Sequence, residues 1–286
     1  MKNKNAFTLI ELLVVFSIIF VLVGLLLSSI SATKEQSKRI ICLNNLKNLQ
    51  LSWLIYSGDN EGKVVDNYYS GPLTYNWVHG NLAFNVEDNT NTFLLVGYEN
   101  SKLGSYTQNH RIYKCPSDKS ISIHNSKKYP RVRSYSLNSW VGGETCTNSY
   151  SDLMWRWINA TGNQNNSFAY KVFRKIDNFN KPSEIFSFVD ELDGSIDDGQ
   201  FLVDIAGRAF NDKYSYIIVN FPTFVHNKKG AFAFVDGHVE NHKWLDFRTY
   251  HLSSLYSQQT GKIVRPINHY LSKDVEWMMY HSTENE

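Results

Sequence analysis

Three cysteines in 286 residues are too few to build a disulfide scaffold and too widely spaced for a zinc ribbon. A charge excess is equally lacking. Lys and Arg number 29 against 27 acidic residues, a formal net of +2, without the basic surplus that a nucleic-acid binder concentrates. No nucleophile elbow, phosphate loop or His-Glu-x-x-His pair occurs, so the familiar hydrolase and nucleotide-binding signatures are missing. Internal repeats and low-complexity tracts are also absent. With 42% apolar and 20% charged residues, a mainly disordered chain is excluded. What is plentiful is aromatic: 17 Tyr, 17 Phe and 7 Trp. Together with many Asn and Ser, they point to strands and polar loops rather than a helical bundle. The length suits one large domain or two small ones.

One long hydrophobic run stands apart from the rest. From Phe7 to Ile30 the only ionisable side chain is Glu11, no proline interrupts, and Gly24 is the single glycine. At about 1.5 Å per residue the run reaches about 36 Å, enough for a hydrocarbon core of about 30 Å. A membrane-spanning helix is expected. A secretory signal has a shorter apolar stretch, although Ser29-Ile30-Ser31-Ala32 could serve as its cut site. A plain signal anchor explains the length but not Glu11. A carboxylate one turn into a membrane helix is costly unless partnered, so Glu11 marks a functional position.

The leader Met1-Lys2-Asn3-Lys4-Asn5-Ala6 followed by Phe7-Thr8-Leu9-Ile10-Glu11-Leu12-Leu13-Val14-Val15 resembles the class III signal of type IV prepilins and type II secretion pseudopilins. The resemblance implies removal of residues 1–6 by a membrane peptidase cutting between Ala6 and Phe7. The same enzyme would N-methylate Phe7, leaving Glu11 as the fifth mature residue. Relatives nearly always carry Gly where Ala6 stands, and one added methyl is expected to be tolerated. The freed amine is cationic near neutral pH, and Glu11 of a neighbouring subunit can pair with it. Further implications are a single-pass protein of the bacterial inner membrane, with its head in the periplasm or outside the cell. The implied partners are the prepilin peptidase/N-methyltransferase, sister pilin-like subunits, an assembly platform with its ATPase, and the lipid bilayer; no nucleic acid is expected. Charges flank both ends of the run, with Lys2 and Lys4 before it and Lys34, Lys38 and Arg39 after it, so the charge count does not itself set the orientation.

Residues 31–57 continue as an amphipathic helix, with Leu43, Leu46, Leu49 or Gln50, Trp53 and Tyr56 recurring at spacings of three and four. The run from Ser57 to Gly62 supplies the stop. The expected organisation is leader 1–6, transmembrane helix 7–30, amphipathic helix 31–57 and globular head 58–286. The expected fold class is α+β, a long N-terminal helix packed on an antiparallel sheet. Candidate strands are 133–137, 185–189, 214–219 and 231–235. Asp236-Gly237 reads as a two-residue hairpin turn leading into 238–242. That register sets Phe234 opposite Val239, and it gives the sheet one apolar face and one mixed face carrying Val235, His238, Glu240 and His242.

His226, nine residues, then Asp236-Gly237 matches the H-X9-DG pattern of a large group of bacterial prepilin-like proteins. Other segments agree in order: Cys42-Leu43-Asn44-Asn45-Leu46-Lys47, Tyr56 with Asp59-Asn60, Cys115-Pro116-Ser117-Asp118, Ser134-Tyr135-Ser136-Leu137-Asn138, and Pro182-Ser183 leading to Val189-Asp190-Glu191. His226, Asp236 and His238 invite a metal or acid–base reading, against one in which Asp236 and Gly237 make a turn and His226 orders a loop. Asp190, Asp193, Asp197 and Asp198, with Glu191 among them, offer hard oxygens suited to calcium, which major pseudopilins of type II systems use. Their spacing departs from an EF-hand, and a solvated loop is the competing reading. Cys42 and Cys115 are either a disulfide tying a loop to the helix or packed free thiols, and Cys146 is left over in both cases. No catalytic residues and no cofactor beyond that calcium are expected. The chain is read as a structural subunit, not an enzyme, that assembles into a pilus or secretion pseudopilus. The alternative is a tethered surface protein whose head binds or processes polysaccharide.

Overall fold

The computed structural model describes residues 8–67, 76–82, 86–97, 99–124, 126–143, 170–251 and 267–285. Helix α1 runs without a break over Leu9–Asp59, 51 residues. Its start is fixed by a capping box: the Glu11 N–H donates to Thr8 Oγ1 (3.3 Å), while Thr8 N donates to Glu11 Oε2 (2.8 Å). Its end comes where Glu61 and Gly62 take left-handed conformations, φ 57° and 75°, and the Asn60 N–H bonds the Ser57 carbonyl.

The two halves of α1 meet different surroundings. From Leu9 to Ile30 its large apolar side chains are exposed on every side, and this is the one helix among the described residues long and apolar enough to cross a membrane. Farther on, Cys42, Leu46, Leu49, Gln50 and Trp53 are completely buried, the spacing of three and four read from the sequence.

The buried face lies on a five-stranded sheet. Strands β1 (Ile121–His124) and β2 (Lys127–Pro130) form a separate hairpin. The main sheet uses β3 (Tyr135–Asn138), β4 (Phe186–Asp190), β5 (Gln200–Phe201), β7 (Lys229–Phe234) and β8 (Val239–Lys243) in the order β5-β3-β4-β7-β8. All its pairings are antiparallel except β3 with β5. A further pair joins β6 (Ile217–Ile218) to β9 (Ile267–Asn268). The expected α+β arrangement, a long helix on a largely antiparallel sheet, is the one observed. The strand expected at 214–219 shrinks to two residues, because Asp212 caps a 3-10 turn over Lys213–Ser215.

The β7–β8 connection differs from the two-residue turn expected. Ala233, not Phe234, faces Val239. The Gly237 N–H donates to the Phe234 carbonyl, and Phe234 N donates to His238 O, both at 2.9 Å. Only Gly237 takes positive φ there, at 96°. The result is a three-residue loop whose glycine supplies the left-handed position.

The faces are also shared out differently: Glu240 and His242 lie on the side of Phe232, opposite Val235. Ala231, Ala233 and Val235 join the core that holds the buried side of α1. Phe232 and Phe234 join a second core with Trp140, Phe186, Phe201, Trp244, Val275 and Met279. The C-terminal helix Lys273–Tyr280, capped by Ser272, brings part of that second layer. Small residues toward α1 let the helix approach closely, while aromatics fill the deeper space behind.

Candidate functional site

Ala6 and Phe7 lie outside the described residues. Glu11 is in place at the first turn of α1, where its carboxylate also accepts the Thr8 hydroxyl at 2.8 Å. In the single chain this acid therefore caps its own helix.

In the head, four side chains converge from distant parts of the sequence. Cys42 comes from the buried face of α1. Cys115 opens the Cys-Pro-Ser turn, which is held by the Asp118 N–H on the Cys115 carbonyl (3.0 Å) and by Cys115 N on Ser134 Oγ (3.2 Å). Asp190 ends β4. His226 sits in the turn before β7, where Asn227 and Lys228 both take φ 59°. The Cys42 thiol donates to Asp190 Oδ2 at 3.3 Å, Cys115 Sγ lies 3.2 Å from His226 Nε2, and His226 Nε2 lies 3.4 Å from Asp190 Oδ2. All four ligand-type atoms fall within 4.8 Å of one another, and all four residues are buried. The Tyr135 hydroxyl donates to Cys42 Sγ at 3.3 Å.

The electrostatics follow from that crowding. Burial, then the Cys115 hydrogen bond and the Asp190 charge, push the Cys42 thiol well up. Burial first, and the Cys115 charge second, push the Asp190 carboxyl well up too. Cys115 moves the other way, to about 5, because the Cys42 hydrogen bond outweighs burial and His226 adds to it. Burial alone would lower His226, but its bonds to Asp190 and Cys115 raise it to about 9. The crowding thus favours charge on Cys115 and His226 and disfavours it on Cys42 and Asp190.

The other sequence candidates separate. His238 Nδ1 and Asp236 Oδ1 meet at 2.6 Å on the surface of the β7–β8 loop, while His226 faces the interior, so His226, Asp236 and His238 form no joint site. Cys42 and Cys115 come together as free thiols, and Cys146 lies outside the described residues. Asp190 points toward α1, away from the acidic loop that follows it. Glu191 is buried, accepting Ser136 Oγ, Ser195 Oγ and Asn220 Nδ2 at 2.6, 2.7 and 2.6 Å. The carbonyls of Asp193 and Asp198 accept the buried guanidinium groups of Arg131 and Arg133. Asp190, Asp193, Asp197 and Asp198 are not a convergent ligand group.

The sequence pairs Cys42 with Cys115 but leaves Asp190 in the acidic loop and His226 with Asp236, so the convergence of all four is absent from that reading. One signal was available: each lies in a separate motif of the ordered set that carries the H-X9-DG resemblance. A cleft of ≈ 270 Å³ lined by Ser117, Asp118, Lys119, Thr223 and Val225 reaches Cys115 and Asp190 from outside.

Residues 1–27 match a protein-family model described as the prokaryotic N-terminal methylation motif. No curated protein and no solved structure matches the chain.

Proposed function

We propose that this chain is a prepilin-like structural subunit, trimmed between Ala6 and Phe7, N-methylated on Phe7 and held in the bacterial inner membrane by the first half of α1. The head then lies in the periplasm or outside the cell, and the subunit assembles with sister pilin-like chains into a pilus or a type II secretion pseudopilus. Its work is packing and charge pairing, not turnover. The observation that carries this reading is the methylation motif over residues 1–27 on a helix whose first half is exposed on all sides and whose second half has one face buried under a head. Such a helix leaves one stretch for lipid or neighbouring helices and commits the other to its own domain.

Two measurements test it. Mass spectrometry of the mature chain should find N-methyl-Phe7 as its first residue; a chain that keeps residues 1–6 in a host with active prepilin peptidase, or begins near Thr33, refutes the pathway. Glu11 separates its two roles by substitution. Glu11→Ala removes both the cap and the charge, whereas Glu11→Gln keeps a capping side chain and removes only the charge. If Glu11 pairs with a neighbour's amine, both variants insert in the membrane and both fail to enter filaments. Wild-type incorporation of Glu11→Gln would reduce Glu11 to a helix cap.

A further inference from the structure

We propose that Cys42, Cys115, Asp190 and His226 bind one Zn²⁺ in a closed tetrahedral site that fastens α1 to the head. The argument begins with distances. A tetrahedron built on ordinary Zn–S, Zn–N and Zn–O bonds of about 2.3, 2.0 and 2.0 Å has ligand–ligand edges of about 3.3–3.8 Å. The three contacts measured here are 3.2, 3.3 and 3.4 Å, with every other separation inside 4.8 Å. The side chains are thus already placed around a point that an ion could fill with adjustments of a few tenths of an ångström on these edges.

The donor set selects the ion. Two sulfurs exclude calcium and magnesium, which demand oxygen. An imidazole and a carboxylate beside them suit borderline-soft Zn²⁺ better than Cu⁺, which favours sulfur alone. Four protein donors leave no open position, which marks a structural rather than a catalytic centre. The surroundings agree: the Tyr135 hydroxyl on Cys42 Sγ is the kind of outer hydrogen bond that orients a thiolate ligand, and the cleft at Cys115 and Asp190 gives the ion a route in.

Binding needs no oxidant. Every proton held by the two thiols, by His226 Nε2 and by the Asp190 carboxyl goes to solvent, so that two thiolates, a neutral imidazole bound through Nε2 and an ionised carboxylate face the ion. The site then bears one net negative charge, two thiolates and a carboxylate against the dication. The ligands come from α1, the Cys115 turn, the end of β4 and the turn before β7, so one ion ties the stalk helix to three segments of the head. It would also shield two thiols from oxidation to a disulfide in an oxidising compartment.

The full chain, purified in detergent under reducing conditions and exposed to Zn²⁺, should retain a single zinc ion after exhaustive dialysis. Cys42→Ser, Cys115→Ser and His226→Gln should lose it, while His238→Gln, on the exposed loop, should keep it. Because a ligand variant can misfold, the wild-type chain is also loaded with Co²⁺. Thiolate-to-cobalt charge-transfer bands together with intense tetrahedral d–d bands are expected. Failure to retain zinc, weak octahedral cobalt bands, or a Cys42–Cys115 disulfide in the chain isolated from cells would each overturn the proposal. None of these outcomes bears on whether Phe7 is processed, so this site and the proposed assembly role stand or fall separately.

Discussion

Leu46→Ala is the sharpest probe of the contact between α1 and the sheet. Leu46 is 0% exposed and belongs to the same core as Ala231 and Ala233 on β7. Truncating a buried leucine costs about 2–5 kcal/mol, the larger values where the surroundings do not collapse into the space. Alanines on the facing strand are too short to fill it, so the upper half of that range applies. For a head of this size each kcal/mol lowers the melting temperature by about 2–4 °C, so about 3.5–5 kcal/mol gives a fall of about 7–20 °C. The assay is thermal unfolding of the full chain in detergent, followed by near-ultraviolet circular dichroism of the buried tryptophans. Leu25→Ala is the control, because Leu25 is 66% exposed on the membrane half and should leave the head's melting unchanged. If Leu46→Ala melts with the wild type, or if Leu25→Ala falls as far, the packing of α1 on β7 is not what holds the head.

Three further outcomes follow from other sites. Burial and the nearby His281 hold His242 at about 4, against an ordinary 6.5. The unfolded chain therefore takes up this proton first, so the stability it contributes is present above pH 6.5 and is lost as pH falls toward 4; His242→Phe should flatten the melting curve against pH in that window, and an unchanged slope would rule this source out. Gly142 has φ 70°, and a Cβ there would meet the Val65 carbonyl oxygen at 2.1 Å, so Gly142→Ala should destabilise by more than about 1 kcal/mol, whereas Gly58→Ala, in open space on the last turns of α1, should gain about 0.5–1 kcal/mol in the same denaturant titration. Glu191→Ala strands three buried donors and should cost at least about 3 kcal/mol, measured as a lower urea midpoint at constant slope; a shift near zero would mean water replaces the carboxylate.

Much of α1 was legible because its signals are local. The apolar run, the three–four spacing through Leu46, Leu49 and Trp53, and the stop at Gly62 each depend on neighbours within a few turns. The head was legible only in pieces. Alternation identified β7, but it could not reveal that Phe232 and Phe234 find a second buried layer partly built by Lys273–Tyr280, more than thirty residues later. The loop after Phe234 was misjudged by one residue, since Asp-Gly also serves a three-residue turn with glycine alone left-handed. The Cys42–Asp190 contact spans 148 positions, and no periodicity reaches that far. Asp190 and Glu191, adjacent in an acidic run, go to opposite tasks because consecutive side chains leave an extended backbone on opposite sides.

The unbroken hydrogen bonding of α1 from Leu9 to Asp59 also has a mechanical meaning. At about 1.5 Å per residue its length is about 76 Å, and with neither proline nor bulge to absorb motion it behaves as a pushrod. A shift of its exposed apolar end along the axis would pass through that backbone to Leu46 and Trp53, and from them to the core they share with the sheet.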